Sequence, residues 1–313
     1  MKTFILNEAG SINNLKFTDV PKPDIKEDEV LVQIKAISIN PVDVKARSKE
    51  AVLSWVGGNE RPVVLGWDIS GVVSSKGSRI NNFNIGDEVF GMVNFLGLGK
   101  AYAEYVAVPA SHLALKPANI SHEEAAASTL AALTALQTLH TLIKKDDKVL
   151  IHGASGGVGH YAVQIALNAG AHVIGVSSAG SRDFVLGLGA HEHIDYENKQ
   201  FESFVKDADV VLDTVSAKTV ERSLDVLKKG GTLMTITSGN NPQTVLDRAA
   251  EKNIHLKYLL VSSSGKDMET LAGWLSSGKL KSHIEQVFSF ENLPLAHERL
   301  EKGKVKGKVV IKL

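Results

Sequence analysis

Val149-Leu150-Ile151-His152-Gly153-Ala154-Ser155-Gly156-Gly157-Val158-Gly159-His160-Tyr161-Ala162 runs from a short apolar stretch through four glycines in seven residues. It then enters a segment with Val158, Ala162, Ile165 and Ala166 at helical spacing. This is a buried strand turning into a helix, and the glycines say what the turn is for. Gly156 has no side chain to hold off a diphosphate, and Gly159 lets the helix pack closely on the strand. The helix N-terminus offers free N–H groups and a partial positive charge. The first glycine of the usual G-x-G-x-x-G is Ala154 here, with Gly153 just before it. Between a strand and a helix the pattern is a specific signal for a dinucleotide. Gly153-Ala154-Ser155-Gly156-Gly157 also reads as G-x-S-x-G, the hydrolase nucleophile elbow, with Asp213 and His255 or His283 in Ser…Asp…His order. No HGGG-like segment precedes it, and Gly159 has no role in that fold. An α/β-hydrolase using Ser155 is therefore the weaker alternative.

Downstream of the turn, strands and helices alternate. Strands are expected at Ala171–Ser177, Asp209–Asp213, Gly231–Thr237 and His255–Val261, with a helix at Arg182–Gly187. The alternation predicts a doubly wound parallel sheet, an α/β Rossmann domain. Upstream, Glu29–Ala36 places Val30, Val32, Ile34 and Ala36 on one face of a strand. Further β-rich runs at Val63–Leu65, Gly71–Ser74, Asp87–Val93 and Tyr102–Val108 predict a β-barrel or sandwich. The change of pattern falls at Ser121-His122-Glu123-Glu124, a capping box opening a single helix to about Ile143. The last segment, Val305–Leu313, is a strand expected to return to the first domain. The division expected is 1–122 completed by 279–313, and 123–278.

Lys+Arg and Asp+Glu both number 35, so the excess positive charge that carries nucleic-acid or anionic-membrane binding is missing. With no cysteine, a thiol nucleophile, a disulfide and a Cys-ligated metal are excluded. His191-x-His193 lacks a third ligand, so no metal is expected. The Met1–Glu8 run is too short for a signal-peptide core, and Ala125–Ile143 is too polar to face lipid. A cytoplasmic protein is the expectation.

NAD sites place an acid at the end of the second strand to bind the ribose 2′-OH. This chain has Val176-Ser177-Ser178-Ala179-Gly180-Ser181-Arg182, with no acid before Asp183. Hydroxyls and a guanidinium suit a 2′-phosphate instead, so NADPH is expected over NADH.

Taken with Asn40-Pro41-Val42-Asp43-Val44-Lys45, Leu65-Gly66-Trp67-Asp68, Gly86-Asp87-Glu88-Val89, Tyr102-Ala103-Glu104-Tyr105, Ile194-Asp195-Tyr196 and Gly307-Lys308-Val309-Val310, the turn gives the whole chain a family likeness. It resembles the zinc-independent quinone-oxidoreductase-like branch of the medium-chain dehydrogenase/reductase superfamily, which includes zeta-crystallin. The resemblance implies a GroES-like barrel built from both chain ends, a Rossmann domain, and a cofactor between them. It implies that Gly156, Gly157 and Val158 contact the pyrophosphate, and that Ser178, Arg182 and Tyr196 surround the 2′-phosphate. Asp213, Thr214 and Val215 would approach the ribose or nicotinamide. Thr237, Ser238 and Gly239 would flank the nicotinamide, with Leu260, Val261 and Ser262 close by and Thr134 approaching from the barrel side. Asn40, Asp43 and Lys45 are the implied catalytic group. Zinc-dependent relatives carry a cysteine at the Asn40 position and a histidine at the Trp67 position.

Without a Lewis acid the substrate must itself delocalise the incoming charge, as quinones and α,β-unsaturated carbonyls do. The expected function is NADPH-dependent reduction of a small apolar quinone or enone, with Asn40 and Lys45 as candidate donors to the developing oxyanion. Asp43 is expected to orient Lys45 or anchor its loop. The apolar loop Met92–Lys100, with Trp55 and Trp67, is a candidate acceptor wall. A non-catalytic NADPH-binding or structural protein of the same fold is the alternative. The resemblance also implies a homodimer through the last Rossmann strand, while the balanced charge leaves no nucleic-acid or membrane partner expected.

Overall fold

The computed structural model describes all 313 residues. In chain order the elements are β1 (Lys2–Leu6), β2 (Leu15–Asp19), β3 (Glu29–Ile39), α1 (Pro41–Ser48), α2 (Glu50–Gly57), β4 (Asp68–Lys76), β5 (Glu88–Met92), β6 (Tyr105–Pro109), β7 (Ala114–Leu115), α3 (His122–Ala127) and α4 (Leu130–Leu139). They continue as β8 (Lys148–His152), α5 (Gly159–Asn168), β9 (His172–Ser177), α6 (Arg182–Gly187), β10 (Glu192–Asp195), β11 (Ala208–Asp213), α7 (Ala217–Ser223), β12 (Leu227–Thr235), α8 (Gln243–Glu251), β13 (His255–Tyr258), α9 (Gly265–Ser276), β14 (Ile284–Ser289), α10 (Leu293–Glu301) and β15 (Lys308–Lys312). No helix is long and apolar enough to cross a membrane.

Contacts divide the chain into two compact units, 1–133 with 262–313, and 134–261. The sequence reading divides instead at 122/123 and 278/279. The difference is α3 and α9. The first packs on β3, β4 and β15 and the second on β7, so both belong with the antiparallel strands.

In the first unit β3 is the central strand. Val30, Val32, Ile34 and Ala36 all face the core, as period-2 alternation demands. The sheet runs β14-β15-β3-β4-β5-β7, with β6 also on β3. The closing strand β15 pairs antiparallel with β3, Val310 opposite Ser38, so the chain end does return to the unit it began. The helix expected from Ser121 to about Ile143 is two helices. Ser128 and Thr129 turn their hydroxyls back onto the carbonyls of Glu124 and Ala126, at 2.7 and 2.8 Å, competing with the helical ladder. Helix α4 then restarts where the Asp68 carboxylate accepts the Leu130 N–H at 3.0 Å.

In the second unit all strands are parallel, in the order β10-β9-β8-β11-β12-β13. Renumbered from β8 this is 3-2-1-4-5-6, the doubly wound arrangement, with its switch point between β8 and β11. Leu150, Val211 and Leu233 lie in the core, with α7 and α8 contributing Val220 and Val245.

Candidate active site

Two features stand out, a glycine turn in the second unit and a buried polar centre in the first. The turn stands at the C-terminal ends of the parallel strands. Gly153 turns the chain out of β8 at φ +69°, a conformation that disfavours side chains, and a Cβ there would meet Thr214 Oγ1 at 2.4 Å. Thr214 in turn donates to the His152 carbonyl at 2.8 Å, tying the end of β11 to the turn. A Cβ on Gly159 would meet the Gly153 carbonyl oxygen at 2.0 Å, so α5 starts in contact with the strand. Gly156 is different. Its Cβ would meet only the Gly153 oxygen, at 3.3 Å, and with half-buried Gly157 and Val158 it leaves the approach to α5 open.

The other residues assigned to the cofactor gather at the same sheet edge. Ser178 and exposed Arg182 follow β9, Tyr196 follows β10, and Asp213, Thr214 and Val215 end β11. Thr237, Ser238 and Gly239 follow β12, and Leu260 and Val261 follow β13. Thr134 lies buried within α4, and Ser262 opens the return to the first unit. Asp213 Oδ1 accepts from the Val215 and Ser216 N–H groups at 2.8 and 3.1 Å, while its buried Oδ2 has no partner. Burial pushes this carboxyl above its ordinary value. An orphaned oxygen at the switch point, beside a turn open at Gly156, fits a dinucleotide whose ribose hydroxyls can donate. The hydrolase alternative finds no support in this geometry. Ser155 makes no hydrogen bond to a histidine, His255 is exposed on β13, and His283 lies in the first unit.

The polar centre is buried in the first unit. Asn40, at the start of α1, donates through Nδ2 to Asp68 at 2.7 Å and accepts at Oδ1 from the Lys308 ammonium. Lys308 also reaches the Ile39 carbonyl at 3.2 Å and Asp68 at 3.6 Å. Three acceptors surround the lysine and donors from Asn40 and Leu130 surround the aspartate, so we read them as an ammonium and a carboxylate. Burial works against both, pushing Lys308 down and Asp68 up, and their mutual attraction opposes it. Asp43 accepts the Asn40 N–H at 2.8 Å and the Tyr102 hydroxyl at 2.9 Å. With Tyr102 donating there, His297 Nε2 donates to the Tyr102 oxygen at 2.8 Å. Burial holds His297 neutral, down to about 3. Lys45, the third residue of the implied catalytic group, is exposed on α1.

Burial, then the neighbouring Asp68, pushes Asp43 up to about 7 from an ordinary 3.8. The unfolded chain releases this proton first, so the contribution to stability is full below about pH 4 and declines as pH rises toward 7. Urea unfolding of Asp43→Asn beside the parent should show the parent losing ground by about 1.4 kcal/mol per pH unit between about pH 4.5 and 6.5. Parallel curves would show that Asp43 ionises normally.

The comparisons with known proteins agree on one family. Residues 26–118 match the model for the alcohol dehydrogenase GroES-like domain, and 188–311 match that for zinc-binding dehydrogenase. A 2-methylene-furan-3-one reductase from Solanum lycopersicum is 35% identical over 99% of this chain and 79% of its own. A quinone oxidoreductase structure from Coxiella burnetii superposes with a TM-score of 0.94 at 34% identity, covering 100% of this chain and 99% of the other. That of Escherichia coli quinone oxidoreductase complexed with NADPH gives 0.89 at 28% identity over all of both chains. The chain belongs to the quinone-oxidoreductase-like branch of the medium-chain dehydrogenase/reductase superfamily.

The family matched by residues 188–311 is described as zinc-binding. Zinc takes thiolate, imidazole or carboxylate ligands in a tetrahedron. Here Asn40 and Trp67 stand at the expected ligand positions, and the Asn40 oxygen already holds a lysine cation. The indole of Trp67 is fully buried, donates to the Gly97 carbonyl at 2.7 Å, and meets Phe95 edge-on at 5.6 Å. These residues do not fit zinc. Trp67 instead pins the loop 94–100. Phe95 donates its N–H to Ser263 at 3.1 Å, while Trp55 is exposed.

Sequence reasoning assigned no role to Lys308, Asp68, Tyr102 or His297. The available signal was a charge inside each of two apolar strands, Trp67-Asp68-Ile69 and Lys308-Val309-Val310. Nothing local says that the two meet. His191 and His193 are committed separately, His191 accepting the Val173 N–H at 3.0 Å and His193 pairing with Ser177 at 2.8 Å.

Proposed function

We propose that this member of the family uses NADPH to reduce small apolar quinones or α,β-unsaturated carbonyls by hydride transfer without zinc. The observation that carries the reading is the pairing of a glycine cradle at a doubly wound switch point with a barrel centre whose metal position is filled by Asn40, Trp67 and a lysine cation. NADPH supplies the hydride when bound. Gly156, Gly157 and Val158 would bind its pyrophosphate through backbone N–H groups. Ser178, Arg182 and Tyr196 would select the phosphorylated ribose, and Asp213 Oδ2 would accept from a ribose hydroxyl. Thr214, Val215, Thr237, Ser238, Gly239, Leu260, Val261, Ser262 and Thr134 would shape the remaining surface and exclude water.

Because no metal ligand set is present, the acceptor must carry its own developing charge, as a hydroquinone anion or an enolate. Asn40 is engaged at both ends, so its part is to hold the start of α1. Lys45, exposed one turn along that helix, is the group free to donate toward a substrate oxygen, and Asp43 fixes the segment they share. A cytoplasmic homodimer joined through β13 belongs to the same reading. Tyr258 and Leu260 are exposed on and just beyond this edge strand.

NADPH loss should be followed at 340 nm across a quinone and enone panel, with NADH and with chelator as parallel arms. NADPH should be preferred in kcat/KM, and chelator should leave the rate unchanged. Silence across the panel, or activity that chelator abolishes, would overturn the reading.

A further inference from the structure

On β10, His193 lies opposite Gly175 of β9, on the face covered by α6. Gly175 keeps that face shallow, since a Cβ there would meet Val185 at 2.5 Å and Ala154 at 3.1 Å. The imidazole is half-buried, and its Nε2 lies 2.8 Å from the buried Ser177 hydroxyl. Ser178 and Ser181 follow, their hydroxyls 3.4 Å apart, and Arg182 opens α6. We propose that His193 is a recognition group for the 2′-phosphate of NADPH, taking up a proton as the phosphate binds. This rests on the reading that Ser178, Arg182 and Tyr196 surround that phosphate.

The charges around His193 make the case. Arg182 from α6 and Lys199 from the segment after β10 both act against its protonation, and Asp195 on its own strand acts for it. No carboxylate is bonded to it. Asp195 is occupied by Asn198 at 2.7 Å and by the Glu197 N–H, Glu192 faces His172 at 2.7 Å, and Asp183 lies 3.5 Å from Arg182. Burial first, then Arg182, holds the imidazole below the ordinary histidine value, so it is neutral in the free protein near pH 7. A dianion among these cations reverses the field. A proton on the ring would make Nε2 a donor to Ser177 and release the Ser177 hydroxyl to donate elsewhere. By linkage, a ligand that raises the pKa of a group binds more tightly below that pKa and more weakly above it.

The experiment uses the full chain with 2′,5′-ADP as probe and 5′-AMP as control, reading the His193 proton resonance by NMR across pH. The midpoint should rise by a unit or more with 2′,5′-ADP and stay in place with 5′-AMP. Calorimetry should show proton uptake near pH 7 and an affinity that falls several-fold between about pH 6.5 and 8.5. His193→Gln keeps a partner for Ser177 and should abolish the uptake, leaving only the probe's own titration. A probe that binds and is displaced by NADPH without moving His193 overturns the proposal and leaves the NADPH reading standing. A probe that binds no better than 5′-AMP overturns both.

Discussion

Lys308→Met should destabilise the first unit by about 3–5 kcal/mol, the cost of stranding one member of a buried ion pair. The lysine side chain is 3% exposed and Asp68 is 0% exposed, so water cannot take over the lost partner. The Asn40 oxygen and the Ile39 carbonyl lose a donor in the same step. Lys312, on the same strand, provides the control. Its side chain is 66% exposed and pairs with Glu123, so Lys312→Met should cost less than about 1 kcal/mol. Adding Asp68→Asn to Lys308→Met should recover part of the loss, because the stranded charge goes with it. Urea unfolding of the four proteins measures all of this. Equal effects at 308 and 312 would show that the buried cation does not hold the centre together.

Gly159→Ala and Gly156→Ala should separate folding from cofactor binding within one turn. At 159 the new methyl would sit 2.0 Å from the Gly153 oxygen and 2.8 Å from Ala154 Cα, both backbone atoms that cannot swing away. Helix α5 must then shift from β8, at a cost of 1–3 kcal/mol or more for overpacking. At 156 the methyl meets a single atom at 3.3 Å, so the fold should survive. It would stand where the pyrophosphate approaches the backbone, and NADPH affinity should fall at least about tenfold, or ~1.4 kcal/mol. Thermal unfolding and calorimetry with NADPH, run on both variants, give the two readouts. A stable Gly156→Ala that binds NADPH like its parent would remove the diphosphate from this turn.

The cradle was legible because everything that makes it is local. Gly153 to Gly159 carry their conformational and steric meaning in consecutive residues, and the strands on either side announce themselves by apolar runs. The same locality gave β8, α6 and the strand β15, whose pairing with β3 is long-range. The helix after Ser121 misled because Ala, Leu and Thr at helical spacing predict one helix. The Ser128 and Thr129 hydroxyls compete with the helical ladder locally, but the restart at Leu130 depends on Asp68, about sixty residues earlier, accepting its N–H. Asn40 and Asp43 were singled out by resemblance, and the structure adds what holds them: a lysine from the last strand, a tyrosine from the loop before β6 and a histidine from α10.

From the chain alone came the parallel sheet, its glycine turn, the expectation of a phosphorylated ribose and the lack of thiol ligands. Each follows from residue type and short spacing, which a one-dimensional pattern preserves. Folding alone decided that Lys308, Asp68 and Asn40 share one dry centre, that Asp43 is enclosed with them, and that His193 faces Arg182 and Lys199. Those are meetings of charges distant along the chain, and their energies arise only once burial has stripped the water away.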